Sequence, residues 1–293
     1  MLSKLGLKFQ VSFAPAMMYG VAITGASGFV ARNLRCLCAA RNIPAVLISR
    51  SAVQRRALER VILTRNYHDI STSEWKCQSL IHLVGTGPRA NGTEYSAANR
   101  ATTRAVLDIC KRTDTGHIVY LSGLGVGKAK TPYFDSKSCA EQEIKESGID
   151  YTIFRPSYII GDGDYLTKNL QRQIRSGEII IPCSKETADS RLIIQPIRVR
   201  DAAKIILKTV NDERFSRRIL DMVGTHRIPF AKFAGEFAGP SVKMKFIDTG
   251  DAYRLAESDS SFPYTVDDLD ILTGDFVGDY RSMAEMSEAG SGP

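Results

Sequence analysis

Tyr133 and Lys137 stand four residues apart, a spacing that brings a phenol and an ammonium onto one face of a helix. A tyrosine ionises near pH ~10, and a neighbouring ammonium lowers that value, so the pair predicts a phenol able to exchange a proton with a substrate oxygen. Ser122, eleven residues before Tyr133, is the nearest hydroxyl able to orient that oxygen. Far upstream, Thr24, Gly25, Ser27 and Gly28 make a glycine-rich turn followed by Phe29, Val30 and Ala31. Gly25 permits the tight turn, and Gly28 lets backbone N–H groups approach a pyrophosphate. Ala31 allows close helix packing, and the helix N-terminus adds partial positive charge. Twenty-five residues after Gly25 comes Arg50, between Ser49 and Ser51. An Asp or Glu there would bind the ribose hydroxyls of NAD. A guanidinium instead pairs with a 2′-phosphate through two bonds, so Arg50 favours NADP(H), with NAD(H) left open.

These groups need elements to hold them. Residues 20–24 form a short apolar run, and Val30, Leu34, Leu37 and Cys38 then recur at helical spacing. Further apolar strands are expected at 45–48, 61–63, 80–84, 117–121 and 151–154. A helix with core positions Ala98, Thr102, Ala105, Val106 and Ile109 precedes the fifth strand, and another follows Ser136. Continuous apolar strands alternating with helices predict an α/β fold, a Rossmann-type doubly wound parallel sheet. The expected organisation is an N-terminal arm or mis-assigned start over 1–18 and a dinucleotide-binding domain over 19–157. A small C-terminal substrate lobe over 158–281, whose chain crosses back to the sheet, and a flexible tail over 282–293 complete it.

The 293 residues are 43% hydrophobic and 24% charged, which argues against disorder, collagen-like repeats and coiled coil. No stretch reaches the ~20 apolar residues of a membrane span. Six cysteines without a CxxC pair read as reduced thiols, with no metal site. Residues 1–68 carry ten Lys/Arg against Glu59 alone, whereas 246–293 carry eleven acids against two arginines. The basic residues are scattered, without interleaved aromatics, so an anionic small ligand explains them better than nucleic acid. The arm is apolar and basic. Its start leaves the expected cytoplasmic location open to organellar targeting.

The motifs together resemble the short-chain dehydrogenase/reductase superfamily, in its extended and atypical branches of the NAD-dependent epimerase/dehydratase type. The opening loop is similar to the family's T-G-x-x-G-x-x-G, with Ala31 in place of the third glycine. Asn99 and Thr103 in AANRATTRAVL, Tyr133 with Lys137 and Glu141, Arg155-Pro156 with Gly161, and Asp201 in VRDAA follow in the family's order. The resemblance covers about residues 19–246. It implies a cofactor held by Thr24, Gly25, Ser27, Gly28, Phe29, Val30, Arg50, Leu83, Val84, Gly85, Lys137 and Pro156. It also implies catalysis by Tyr133, Lys137 and Ser122. Gly123 departs from the pattern, standing where the family commonly carries its catalytic serine. The short gap from Ser122 to Tyr133 is similar to the subgroup of the nucleotide-binding accessory subunit of respiratory complex I.

The resemblance therefore implies one of two functions. One is an oxidoreductase acting on a hydroxyl or carbonyl of a small molecule, nucleotide sugars included. The other is a cofactor-binding structural or regulatory subunit with weak or no turnover. Either is expected as a monomer or homodimer. His82 reads as a satisfied core histidine, His68 and Asp69 as neighbours of an adenine, and Asp162 and Asp164 as turn formers.

Overall fold

The computed structural model describes residues 16–85, 92–183, 192–210, 212–239, 242–274, 276–281 and 284. Its strands are β1 (Met17–Thr24), β2 (Ala45–Ser49), β3 (Glu59–Leu63), β4 (Trp75–His82), β5 (His117–Leu121), β6 (Asp150–Pro156), β7 (Ile159–Ile160), β8 (Glu178–Cys183), β9 (Ile193–Ile194), β10 (Ile197–Arg198), β11 (Arg218–Met222), β12 (Ile228–Pro229) and β13 (Lys243–Asp248). The helices are α1 (Phe29–Ala40), α2 (Gly92–Tyr95), α3 (Thr102–Arg112), α4 (Pro132–Glu146), α5 (Tyr165–Arg175), α6 (Val199–Lys208), α7 (Phe230–Ala238), α8 (Thr249–Ser258) and α9 (Val266–Thr273).

Seven strands form one parallel sheet in the order β11-β6-β5-β4-β1-β2-β3. Successive side chains of a strand point to opposite faces, and both faces here are apolar. Val21, Ile23, Leu47 and Phe154 pack on one face beneath Leu34 of α1 and Ile206 of α6. Ala22, Val46, Leu80 and Ile118 pack on the other beneath Val106 and Ile109 of α3 and Ile144 of α4. This is the doubly wound Rossmann-type architecture expected. The strand order reverses between β1 and β4, which opens a crevice at their carboxyl ends, the place where such sheets bind ligands.

The chain beyond β6 divides its elements between two layers. α6 packs on α1, and β11 pairs with β6 at the sheet edge. α5, the β8–β13 pair, α7, α8 and α9 gather around a separate core that includes Leu170, Ile181, Phe230 and Leu269. Among the described residues no helix is long and apolar enough to cross a membrane.

Three local expectations change. β1 begins at Met17, so the last residues assigned to the arm extend the strand beside Trp75 and Lys76 of β4. The fourth strand starts at Trp75 rather than residue 80 and ends at His82. Its amino half alternates buried Trp75 and Cys77 with exposed Lys76 and Gln78, so no apolar run marks it. Trp75 is wholly buried, with its indole N–H donating to the Ser71 carbonyl at 3.0 Å. A π turn over Ser96–Ala101 leads into α3 and turns Asn99 and Thr103 inward in place of Ala98 and Thr102. Wide turns of this kind are frequent at functional sites. Residues 1–15 of the arm and the tail from 285 onward lie outside the described residues.

Candidate functional site

The glycine loop closes on itself at the carboxyl end of β1. Gly25 has φ +68°, and a side chain there would come within 3.1 Å of the Leu83 carbonyl and the Val84 nitrogen. Two features therefore favour glycine: a left-handed backbone and the close approach of the chain after β4. The Gly28 N–H donates to the Gly25 carbonyl at 2.9 Å. Gly28 then opens α1 as its N-cap, with no side-chain cap and no acidic residue in the first turn. The N–H groups of that turn have no partner within the helix and present partial positive charge at the crevice. Ser27 and Gly28 are exposed there, with Phe29 and Val30 half-buried.

Thr24 lies behind the loop rather than facing the crevice. Thr103 Oγ1 donates to the Asn99 carbonyl at 2.6 Å, so His82 Nε2–H donates to Thr103 Oγ1 at 3.1 Å. That leaves His82 Nδ1 to accept from Thr24 Oγ1 at 2.8 Å, while Thr24 Oγ1 accepts from the Leu83 N–H at 3.3 Å. Burial, and then the charge of Lys137, push the imidazole down to about 3, so His82 is neutral. The chain ties β1, β4 and α3 together as a satisfied core network.

α4 starts at Pro132 under a Thr131 cap whose hydroxyl accepts from the Phe134 N–H at 3.2 Å. This places Tyr133 in the first turn and Lys137 one turn deeper. The Lys137 side chain runs under the end of β5, and Nζ donates to the Leu121 carbonyl at 3.1 Å, 5.1 Å from the Tyr120 ring centre. Burial lowers its ammonium to about 8, against the opposing pull of Glu141. A side chain at Gly85 would stand 2.9 Å from Lys137 Nζ and 3.0 Å from Asn99 Oδ1. Asn99 Nδ2 donates to Ser136 Oγ at 2.9 Å, but Asn99 Oδ1 is buried with no hydrogen-bond partner among the described residues. In the sequence Asn99 stands within a family motif that gives it no site role. The orphaned acceptor beside a buried amine is the signal that only the structure carries.

Tyr133 reaches the crevice half-buried, its ring edge-on to Tyr95 and Phe134 at 5.5 and 5.0 Å. The expected lowering of its phenol by Lys137 does not occur. Lys137 Nζ turns toward Leu121 and Gly85, and burial with the Asp267 carboxylate pushes the phenol up to about 12. Ser122 also differs from expectation, because its hydroxyl donates to Glu141 Oε1 at 2.5 Å. Glu141 in turn accepts both Arg155 Nε (3.0 Å) and Nη2 (2.7 Å). Gly123 and Gly125 are explained by Phe134. Side chains there would meet its ring at 3.0 and 2.4 Å, so an aromatic face fills the space of the missing serine.

The Ser122–Glu141–Arg155 cluster yields a stability prediction. Glu141 is 2% exposed, and removing one member of a buried ion pair leaves an uncompensated charge at a cost of ~3–5 kcal/mol. Glu141→Leu should lower urea-unfolding stability by about that amount, and the double change Glu141→Leu with Arg155→Met should recover most of it. Parental stability in the single variant would show that the pair is not coupled to folding.

The remaining sites distribute around the same crevice. Arg50 is exposed at the end of β2, close enough for its charge to favour the Tyr67 phenolate against burial. Arg55 and Arg56 instead turn to Glu59. Arg55 Nε donates to the Glu59 carbonyl (2.7 Å), and the Arg56 N–H donates to its carboxylate (2.8 Å), which Arg35 holds with two further bonds. Leu83 and Val84 are half-buried and Gly85 exposed after β4, and Pro156 ends β6. Asp164 caps α5, accepting from the Gly161 and Thr167 N–H groups, as a turn former does. His68 is exposed on the 3-10 turn Tyr67–Asp69. Phe29, Ser122, Tyr133 and Pro156 also line a cavity of about 490 Å³ reaching toward α5 and α9.

A parallel sheet with a glycine loop at its switch point and an uncapped helix start is the arrangement that binds dinucleotides. The family model described as NAD(P)H-binding matches residues 25–179, more than half of the chain, and the chain belongs to that family. No curated protein matches it. Solved structures show the same fold at low identity. The chain is similar to a nucleoside-diphosphate-sugar epimerase from Staphylococcus aureus at 13% identity and TM-score 0.71, over 92% of this chain and 95% of that one. It is similar to the UDP-N-acetylglucosamine 4-epimerase of Bacillus cereus at 17% and 0.63, over 87% and 96%. Thermus thermophilus UDP-glucose 4-epimerase, solved as a complex with NAD, matches at 14% and 0.65, over 79% and 86%.

Proposed function

We propose that the chain is an NADPH-dependent oxidoreductase acting at the carbonyl/hydroxyl couple of a small molecule, with Tyr133 as its proton donor. The observation that carries the reading is the pairing over Gly85 of an orphaned buried acceptor, Asn99 Oδ1, with the buried amine of Lys137. A ribose diol satisfies both, giving a hydrogen to Asn99 and accepting one from Lys137. The uncapped start of α1 suits a pyrophosphate, and Arg50 suits a 2′-phosphate. We assign Ser27, Phe29, Val30, Leu83, Val84 and Pro156 to the same cofactor, while the Thr24 hydroxyl holds the Leu83 N–H behind the loop. The epimerase neighbours, one of them solved with NAD, carry a dinucleotide-binding reading on the same fold.

When bound, the cofactor supplies the hydride. Tyr133 holds the proton. A phenol raised to about 12 stays protonated at neutral pH and so holds a proton for a carbonyl oxygen. Lys137 orients the ribose and adds positive charge beneath it. Ser122, its hydrogen committed to Glu141, fixes the carboxyl end of β5 rather than the substrate.

A charge-assisted bond contributes about 1.5–3 kcal/mol, so Arg50→Ala should weaken NADPH binding by about tenfold or more. NADH binding should stay near parental, erasing the preference between the two. Calorimetric titration of both cofactors against parent and variant checks this. A parent that prefers NADH removes Arg50 from the reading.

A second reading, a cofactor-binding accessory or regulatory subunit, is favoured by one specific feature. Phe134 occupies the place of the missing serine, and Ser122 is turned away. Tight NADPH binding without NADPH oxidation across aliphatic, aromatic and sugar carbonyls would select it.

A further inference from the structure

The neighbours named above are epimerases of nucleotide sugars, yet the cavity beside Tyr133 has other chemistry. We propose that this cavity takes an apolar carbonyl compound, an aliphatic or aromatic ketone or aldehyde, rather than a nucleoside diphosphate sugar. The inference rests on the oxidoreductase reading and adds the class of substrate.

The cavity holds about 490 Å³, the size of a small-molecule site. Its walls are Phe29 from α1, Leu124 after β5, Phe134 from α4, Leu166 from α5, Ile271 from α9, and Phe276. Phe134 and Phe276 meet edge to face at 5.3 Å, closing one side with aromatic surface. Among the described lining residues the charged side chains are Asp164, Lys168 and Asp268. Asp164 is 2% exposed and accepts from Gly161 N–H, Thr167 N–H and the Thr167 hydroxyl. Asp268 is 7% exposed and accepts from the Thr265 N–H and hydroxyl and from the Tyr165 hydroxyl. Lys168 is exposed.

A diphosphate carries two negative charges and needs guanidinium or ammonium donors once it leaves water. Two buried carboxylates and one solvated ammonium offer it repulsion without an inner counter-charge. An apolar body gains from the same walls, because burying its surface is favourable and leaves no polar group unpaired. One end of such a ligand must still be polar. Two tyrosine hydroxyls on the lining are already bonded, Tyr165 to Asp268 and Tyr264 to the Ile180 carbonyl. Tyr133 and Tyr158 also line the cavity and form no hydrogen bond through their hydroxyls among the described residues. A carbonyl oxygen between them accepts from one or both, and Tyr133 is the phenol placed to pass it a proton.

The test uses the full chain saturated with NADPH and titrated with 2-decanone, acetophenone and UDP-glucose. The expected result is binding of at least one ketone at least tenfold tighter than UDP-glucose, with NADPH oxidised in its presence. Ile271→Arg puts a cation into the apolar wall at a half-buried position. It should weaken ketone binding at least tenfold and leave NADPH affinity unchanged. Competition between ketone and UDP-glucose on the parent protein needs no variant and decides the matter if Ile271→Arg does not fold. Tighter binding of UDP-glucose, or binding of none of the three to the NADPH-loaded protein, overturns the inference. Failure of the preceding NADPH titration instead overturns the oxidoreductase reading, so the two failures are read separately.

Discussion

Replacing Gly28 by valine should abolish measurable NADPH binding while leaving the far-ultraviolet circular dichroism unchanged. Gly28 has φ −70° and ψ 166°, an extended conformation that any residue adopts, so the backbone does not forbid the change. The new Cβ would stand 3.1 Å from the Gly25 carbonyl oxygen, which requires the turn to shift by only a few tenths of an ångström. The isopropyl group, however, would cover the exposed start of α1, where the first-turn N–H groups otherwise meet the pyrophosphate. Losing two such charge-assisted bonds at about 1.5–3 kcal/mol each raises Kd by more than about a hundredfold. Thermal stabilisation by saturating NADPH should disappear in the variant. Equal stabilisation of variant and parent would place the dinucleotide elsewhere.

The second large effect concerns turnover. Tyr133→Phe keeps the ring that packs on Tyr95 and Phe134 and removes only the oxygen that holds the proton. Ketone reduction should fall by about 10²–10⁴, the range for losing a general acid, with NADPH affinity nearly unchanged. Lys137→Met should lower both, because its amine faces the space over Gly85 and is the donor to the Leu121 carbonyl. Unchanged turnover in Tyr133→Phe removes the phenol from the chemistry. Loss of NADPH binding in that variant would instead make Tyr133 a cofactor-binding residue.

What was legible in the sequence was local. The apolar strands of β1, β2 and β5 and the Gly25–Gly28 spacing declare themselves within a few residues, because strand and turn chemistry is set by near neighbours. The one-turn spacing of Tyr133 and Lys137 placed both on α4, but not where their polar ends go. Lys137 Nζ follows the Leu121 carbonyl, a partner on another strand, so the phenol loses the ammonium that the spacing implies. Gly123 read as a missing catalytic residue. Its physical reason is the Phe134 ring, eleven positions later in the chain. Glu141 and Arg155 are motif letters in the sequence, and the bonds that Glu141 accepts from both Ser122 and Arg155 depend on the pairing of β5 and β6 beneath α4. The amino half of β4 escaped because exposed lysine and glutamine interrupt its apolar residues, which only tertiary burial distinguishes.

The central claim is that the crevice between β1 and β4 holds a dinucleotide, with its phosphates at α1 and a ribose between Asn99 and Lys137. Isothermal titration of the full chain with NADPH, and of Asn99→Leu alongside it, tests this most directly. One site per chain is expected in the parent. Affinity in Asn99→Leu should be weaker by about tenfold, since a buried acceptor suited to a ribose hydroxyl is gone and a hydrogen bond contributes about 0.5–1.5 kcal/mol net, more when a partner is left unpaired. Heats of dilution alone from both NADPH and NADH on the parent protein would contradict the claim outright.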